Sequence, residues 1–261
     1  MFFAKSKNKH LLQTIFENIS GHIHNCLTIG ISRYGLEITT EYSEVNNFLF
    51  YVFLDSEEFS EYSYNMVAKN SYFTIEIAPL LAFIKQAQDS DIVISIDNNL
   101  KFTISQTISN TILAFSYPID IEYNVPYNIS FYDYDIEIDI HTKRLLSLAS
   151  KDWLEITSNN GIVTFNNGVD LPYICDGIER QFRVKNTSGD IRIVKKRNDY
   201  QLLRTANGTV TIKSPIVEKF KSILELVSTV QFNVMLNSHI RIDILLDSNI
   251  GTIANIFMEI E

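Results

Sequence analysis

Three side chains of types that bind metal ions alternate near the start of the chain, in the stretch HIHNC. His22, His24 and Cys26 would share one face of a strand, because side chains alternate across a strand with a period of two. Imidazole nitrogens and thiolates bind zinc, but a structural zinc ion needs four ligands and no fourth has suitable spacing. We interpret the stretch as a turn from a helix into a strand and predict no metal ligands in it.

Carboxylates form a second candidate site, in the stretch YDYDIEIDIH. Asp133, Asp135 and Glu137 could together bind a hard cation such as Ca²⁺ or Mg²⁺. They alternate, however, with apolar residues from Tyr134 to Ile140, which is the pattern of a half-buried strand whose polar face meets water. We therefore predict a strand with a solvated acidic face rather than a metal site.

Motifs that serve catalysis or cofactor binding are absent from the sequence. It contains no glycine-rich phosphate loop, no GxSxG nucleophile elbow and no HExxH zinc motif. We predict that the protein is not an enzyme and needs no cofactor. An unrelated metal-dependent enzyme built on His22, His24 and Cys26 is the alternative from another class, and bound zinc that is lost on replacing His24 would revive it.

Composition and charge limit the class of protein. The 261 residues are 46% apolar and 20% charged, and no apolar run approaches the ~18 residues of a membrane span. We expect a soluble, folded protein with no membrane partner. Cys26 and Cys175 lie in apolar stretches, which indicates buried thiols in a reducing compartment. With a net charge of −9, any contact with a nucleic acid must use a local basic surface.

Four stretches have apolar residues spaced as in amphipathic helices. Thr142 and Ser214 are plausible N-caps, and Pro79 and Pro215 fall in the first turn, where proline is tolerated. The four stretches are KHLLQTIFENIS (9–20), APLLAFIKQAQ (78–88), TKRLLSLASK (142–151) and SPIVEKFKSILEL (214–226).

The surroundings of these helices match in pairs. Two short strands around a turn follow the first and the third helix, and a strand and a hairpin flank the second and the fourth, with turns at Asn98-Asn99 and Asn237-Ser238. We predict two copies of one α+β domain, over 1–117 and 134–261. A connector over 118–133 joins them, and its prolines, Pro118 and Pro126, would keep it extended and out of the sheets.

The four helical stretches carry more basic than acidic side chains. Solvated helix faces are an ordinary explanation for such charges. They would instead form one basic surface if the fold brought the four helices to one side. The basic residues are Lys9, Lys85, Lys143, Arg144, Lys151, Lys219 and Lys221, and the acidic ones are Glu17, Glu218 and Glu225.

Five segments of the sequence together resemble a known family. They are MFFAKSKNKHLLQTIFENI, RYGLEITTEYSEVNNFLF, EEFSEYSYN, FTIEIAPLLAFIKQAQDSDIVISIDNN and SNIGTIANIFMEIE. Through them the sequence resembles, over nearly its whole length, the sliding DNA clamps, specifically the proliferating cell nuclear antigen family. The resemblance implies two domains of the clamp fold, which assemble head to tail as a ring, usually of three subunits. Helices would line the hole and meet duplex DNA, and the sheets would form an acidic exterior that limits nonspecific adhesion.

The resemblance assigns DNA contact to basic residues of the helices. Lys85 matches a basic position of the family's second helix, whereas Lys143 and Arg144 lie near its arginine positions but not on them. The other DNA-facing candidates are Lys9, Lys151, Lys219 and Lys221. A weakly basic bore is expected, because neutral side chains stand at several positions where the family has Lys or Arg, namely Gln13, Thr14, Ser147 and Ser222.

Partners and ring closure are also implied by the resemblance. The family recruits DNA polymerase and other enzymes through a short peptide whose apolar plug enters a pocket under the connector, and a clamp loader opens the ring. Edge strands that close the ring match about Thr111–Tyr117 and Gly177–Lys185. The residues that match the pocket are Val45, Val125, Tyr127, Ile129, Ile256 and Phe257.

We therefore expect a DNA sliding clamp, a processivity factor that forms a homotrimer on duplex DNA and tethers DNA polymerase and other replication and repair enzymes. It would act in the nucleus, or at the site of viral DNA replication if the protein is viral. The closest alternative is a clamp-fold subunit of a checkpoint ring or a clamp-like transcription factor, which the weak basic charge of the helices also fits.

Overall fold

The computed structural model describes most of the chain as two compact units. The first unit comprises Met1–Phe131 and Ile244–Met258, and the second comprises Tyr132–Asp243 and Glu259–Glu261. The described residues are 1–6, 9–20, 26–40, 48–66, 69–86, 91–108, 110–122, 134–149, 153–168, 173–175, 181–185, 191–195, 200–213, 217, 219–236, 238–247 and 252–259.

The elements of the first half of the chain are mostly strands. They are β1 Phe2–Ser6, α1 Lys9–Ser20, β2 Cys26–Ser32, β3 Gly35–Thr40, β4 Phe48–Asp55, a 3-10 turn Ser56–Glu58, β5 Phe59–Tyr64, β6 Asn70–Glu76, α2 Ile77–Gln86, β7 Ile92–Ile96, β8 Lys101–Ile108 and β9 Thr111–Pro118.

Among the described residues, the second half has the same order of elements with two additional strands between its helices. Its elements are β10 Ile136–His141, α3 Thr142–Leu148, β11 Trp153–Asn159, β12 Ile162–Asn166, β13 Tyr173–Cys175, β14 Gln181–Lys185, β15 Ile191–Lys195, β16 Tyr200–Arg204, β17 Gly208–Lys213, α4 Lys221–Leu224, β18 Thr229–Met235, β19 His239–Asp247 and β20 Thr252–Glu259.

The first unit is built from two groups of hydrogen-bonded antiparallel strands. One group has the order β5-β1-β7-β8-β9, and the other has the order β20-β4-β3-β2-β6. Every second side chain is buried along β1 and β7, as expected for strands with one face on a core. Because β20 pairs with β4, from Ile253 opposite Phe53 to Met258 opposite Phe48, the segment Ile244–Met258 belongs to this unit.

Helices α1 and α2 pack against each other in the first unit. Both bury the apolar stripe that the sequence predicts, including Leu12 and Phe16 on α1 and Leu80 and Ile84 on α2. Pro79 is the third residue of α2, where its missing N–H costs no hydrogen bond. The first two predicted helices are thus confirmed.

The second unit contains three groups of antiparallel strands. Their orders are β13-β12-β11-β17, β16-β10-β18-β19 and the separate hairpin β14-β15. Strand β10 buries Ile136, Ile138 and Ile140 and leaves Glu137 and Asp139 half-buried, which confirms the predicted alternation. Partial burial raises the pKa of the Asp139 carboxyl.

The third predicted helix is shorter in the structure than in the sequence-based expectation. Helix α3 ends at Leu148, and its N-cap is His141 rather than Thr142. The predicted cap is wrong because the Thr142 hydroxyl donates instead to the carbonyl oxygen of Val227, at 2.8 Å. Of the fourth helix the structure assigns α4, and the predicted cap Ser214 with Pro215 lies outside the described residues.

The predicted hairpin turn at Asn98-Asn99 joins β7 to β8 in the structure. The Asp97 carboxylate accepts hydrogen bonds from the backbone N–H groups of Asn99, at 2.9 Å, and Lys101, at 3.0 Å. This side chain therefore closes the turn. Within the described ranges, no helix is long and apolar enough to span a membrane.

Candidate DNA interface, connector and sheet edges

The helices of the first unit present few charges on their exposed faces. Lys85 is exposed in the last turn of α2, as predicted, and Gln13 and Thr14 are half-buried neutral residues of α1. Lys9 begins α1, but its side chain lies outside the described part of the chain. A cation near a helix C-terminus is favourable with the helix dipole, so Lys85 has a local role that needs no DNA.

Helix α3 carries two basic side chains of the second unit. His141, Lys143, Arg144 and Ser147 line an open cavity of about 380 Å³. Lys143 is exposed, whereas the guanidinium carbon of Arg144 lies 4.7 Å from the centre of the Tyr173 ring. This cation–π contact holds Arg144 half-buried. Lysine, arginine and hydroxyl groups of this kind bind phosphate oxygens without reading base sequence.

The basic residues near α4 are partly offset by acids. Lys219 is exposed, and the Lys221 ammonium lies 3.8 Å from the Glu225 carboxylate in an exposed i,i+4 pair. Such a pair stabilises a helix by only a few tenths of a kcal/mol, about 0.3–0.5, but it lowers the local positive charge. The seventh candidate, Lys151, lies outside the described residues.

Of the residues predicted to form the partner pocket, the structure describes the two on β20, Ile256 and Phe257. Ile256 lies opposite Phe50 on β4 and is fully buried. Its side chain packs within the first unit, and its part in the partner pocket stays a prediction. The backbone of Phe257 lies opposite Leu49. The remaining pocket candidates, Val45, Val125, Tyr127 and Ile129, lie outside the described residues.

The first residues of the connector are attached to the first unit, contrary to the expectation that the connector lies outside the sheets. Pro118 ends β9, a strand at the end of its sheet, where a missing N–H is tolerated. Ile119 is buried and its N–H donates to the Leu100 carbonyl, at 3.0 Å. Glu122 then forms an antiparallel bridge with Tyr72 on β6.

Two strands at the ends of their strand orders, β9 and β13, carry exposed apolar side chains. Ile112 on β9 is 71% exposed, and Ile174 on β13 is 48% exposed. β9 is one of the segments predicted to close a ring. For the other, predicted at 177–185, the structure shows that 181–185 forms β14 of the separate hairpin, while Tyr173–Cys175 is the terminal strand of the four-stranded order.

The candidate metal ligands are not brought together among the described residues, where no cluster of three His, Cys, Asp or Glu side chains is found. Asp135 accepts a hydrogen bond from the N–H of Leu236, at 2.8 Å, and Glu137 lies 3.9 Å from Arg204. Cys26 is a half-buried cysteine on β2 that forms no disulfide. His22, His24 and Asp133 lie outside the described residues.

Sequence reasoning missed three features of this region. They are the stacking of Arg144 on Tyr173, the terminal position of β13 and the bridge between Glu122 and Tyr72. A three-residue strand has no clear periodicity, and the other two contacts join residues far apart in the chain. The apolar and aromatic content of "LPYIC" (171–175) is the one signal that pointed to a strand.

Comparison with known proteins bears on the fold. No protein-family model and no curated protein matches the sequence. A crystal structure of the proliferating cellular nuclear antigen from Entamoeba histolytica is similar to the chain with a TM-score of 0.71 and 13% sequence identity, over 100% of this chain and 98% of that chain. The α+β fold expected from the sequence is thus confirmed: this chain has the fold of the proliferating cell nuclear antigen sliding clamp.

Proposed function

We propose that the protein is a DNA sliding clamp, a non-enzymatic ring that encircles duplex DNA and tethers DNA polymerase and other replication and repair enzymes. The ring is a homotrimer. It forms by head-to-tail pairing of sheet edges between neighbouring copies, in the nucleus or at a site of viral DNA replication.

The arrangement of sheet edges is the observation that carries this proposal. Within the first unit, β20, the last strand of the second repeat, pairs with β4, the third strand after the first helix. By position in the repeat, β9 corresponds to β20 and β13 corresponds to β4. Both β9 and β13 stand at the ends of their strand orders. Pairing β9 of one copy with β13 of the next would repeat the β20–β4 contact between chains and cover both edges.

Contact with DNA falls to the helices in this proposal. Lys85, Lys143 and Lys219 have exposed side chains, and Lys143 and Arg144 line the open cavity at α3. Each copy offers few such contacts, so binding would be weak and independent of sequence, and topology rather than affinity would keep the ring on DNA. Because the net charge is −9 per chain, the acidic excess would lie elsewhere on the surface in this proposal.

Partner docking in this proposal uses the connector. The candidates for the wall of the pocket are Val45, Val125, Tyr127, Ile129, Ile256 and Phe257. Clamp-binding peptides of polymerases would insert a few apolar anchors there, with a clamp loader as a further partner.

Topological retention on DNA tests the proposal. Once a clamp loader has placed the protein on a closed circular plasmid, the protein should remain there through gel filtration in high salt. It should be released when a restriction enzyme linearises the plasmid. Electrostatic binding alone would be lost in high salt whatever the form of the plasmid. Equal retention on circular and linear DNA would rule out a ring that encircles DNA.

Replacing Lys143 with glutamine should weaken binding to a short linear duplex and make it less dependent on salt. Each lost phosphate contact lowers the slope of log K against log salt by about 0.9. Binding is measured by fluorescence anisotropy from 50 to 200 mM salt. Lys101→Gln is the matched control, because Lys101 is an exposed lysine on strand β8 rather than on a helix. Identical slopes for the two variants would remove α3 from the DNA interface.

A clamp-fold subunit with another role, in a checkpoint ring or as a clamp-like transcription factor, is favoured by one observation. The basic candidates are few and partly engaged, since Arg144 stacks on Tyr173 and Lys221 pairs with Glu225. This alternative predicts that the chain does not close a ring with copies of itself, so the mass of the free protein in solution separates the two functions.

A further inference from the structure

We propose that Tyr72 is a positioning residue that holds the start of the connector, residues 119–122, on the first unit, with Glu37 as its side-chain partner. The inference rests on the proposed function only in assigning partner docking to the connector. It concerns how the docking segment is attached to the clamp, and it names residues that the resemblance to sliding clamps does not assign.

The backbone of Tyr72 makes the attachment. Its N–H donates to the Glu122 carbonyl, at 2.8 Å, and its carbonyl accepts from the Glu122 N–H, at 2.7 Å. β6 is the last strand in its order, so its outer edge is open to such pairing. Together with the bond from Ile119 to Leu100, this bridge fixes both ends of residues 119–122.

The side chain of Tyr72 crosses the neighbouring strand. Gly30 on β2 lies opposite Tyr72 on one side and opposite Glu37 on β3 on the other. A Cβ atom on Gly30 would lie 2.6 Å from Cε1 of Tyr72, so the ring occupies the space that any other residue would fill. The same Cβ atom would lie 3.2 Å from Cβ of Glu37, so the Tyr72 ring and Glu37 both border Gly30. Hydrogen bonding with Tyr72 lowers the pKa of Glu37, and hydrogen bonding with Asn70 lowers the pKa of Tyr72.

Among the side chains around Tyr72, the carboxyl of Glu37 is the group whose protonation changes with pH. Burial raises the pKa of Glu37, and the hydrogen bond from Tyr72 opposes this only in part. Tyr51 on β4 and Tyr62 on β5 interact electrostatically with Glu37, and burial raises the pKa of both, so they stay neutral at physiological pH. Two further charged groups lie near this cluster. Asp55 raises the pKa of Tyr62, and Glu122, which pairs with the backbone of Tyr72, is exposed.

The sign of the pH effect follows from the raised pKa of Glu37. A carboxyl whose pKa is raised by burial favours the closed arrangement when protonated and opposes it when ionised. Moving the Tyr72 ring away would admit water to Glu37 and relieve that cost. The start of the connector is therefore held most firmly at mildly acidic pH, and it loosens as the pH rises through the pKa of Glu37.

Hydrogen exchange at the amides of Tyr72 and Glu122 tests this inference on the free protein, without DNA or a partner. After correction for intrinsic rates, exchange at Glu122 should accelerate between pH 4.5 and 8 in the wild type. Tyr72→Phe, which removes the hydroxyl but keeps the ring, should accelerate it roughly tenfold more at pH 8. Glu37→Gln should keep the amide protected and abolish the pH dependence, because the amide side chain stays neutral and still hydrogen-bonds.

Tyr34→Phe is the matched control, since Tyr34 is an exposed tyrosine at the β2–β3 turn of the same unit, and it should exchange like the wild type. Tyr72→Phe exchanging like this control, or a pH dependence that survives in Glu37→Gln, would overturn the inference. Thermal melting verifies that each variant folds, and Glu37→Gln should melt no lower than the wild type. Because no DNA is involved, failure of the plasmid experiment would leave this result unaffected.

Discussion

Replacing Ile112 with glutamate should convert the assembled protein into monomers. Ile112 is 71% exposed on the terminal strand β9, and the proposed ring would cover it with β13 of the next copy. Burying a carboxylate at a strand interface, and losing the apolar contact, costs about 2–4 kcal/mol. This corresponds to association roughly 30-fold to 1,000-fold weaker. Sedimentation velocity at micromolar concentration measures the mass directly.

The control for assembly is Tyr34→Glu, which also places a carboxylate on an exposed side chain of the first unit but away from β9. It should assemble like the wild type. Circular dichroism should show that Ile112→Glu is folded, because the side chain makes little contact within its own chain. An Ile112→Glu variant with the mass of the wild-type assembly would show that β9 does not form the contact between copies.

Replacing Gly35 with alanine should destabilise the first unit strongly. A Cβ atom at Gly35, the first residue of β3, would lie 2.2 Å from the carbonyl oxygen of Leu54 and 2.9 Å from the Phe53 ring. The Leu54 oxygen belongs to the backbone of β4, which pairs with β3 and β20, so it cannot move without disturbing the strand order. We expect a loss of about 2–3 kcal/mol in the free energy of unfolding, measured by urea denaturation.

Gly161→Ala provides the contrast. No atom lies within 4 Å of a Cβ at Gly161, but this glycine has a φ of +79°. Its substitution therefore costs only backbone strain, about 1 kcal/mol. If both variants lost the same free energy, the close approach of Leu54 to Gly35 would not be the cause of the destabilisation.

The sequence by itself determined the strands and helices whose apolar residues recur at a regular short spacing. Alternation in the stretch YDYDIEIDIH predicts β10 with its buried isoleucines, and helical spacing predicts α1 and α2 with their buried stripes. The exposure of Lys85 and Lys143 also follows, because both lie opposite an apolar stripe. Each of these properties depends on residues within one or two turns of chain, so it needs no knowledge of the fold.

Helix ends and side-chain partners were less accessible from the sequence. Thr142 has the right type and position for an N-cap, but its hydroxyl bonds Val227, a residue of another segment. From the sequence, Arg144 is one of the basic residues of a helix face. In the structure its guanidinium stacks on the Tyr173 ring, which leaves Arg144 half-buried. In both cases a contact between distant segments replaced a local preference, as tertiary packing commonly does.

Only the tertiary structure decided which edges are paired and which are open. The pairing of β20 with β4 brings the end of the chain to the first unit, and it leaves β9 and β13 as terminal strands. The bridge between Tyr72 and Glu122 attaches the start of the connector to β6. These features rest on backbone hydrogen bonds, which every residue except proline can form on both sides, so side-chain patterns along the sequence carry no record of the partner strand.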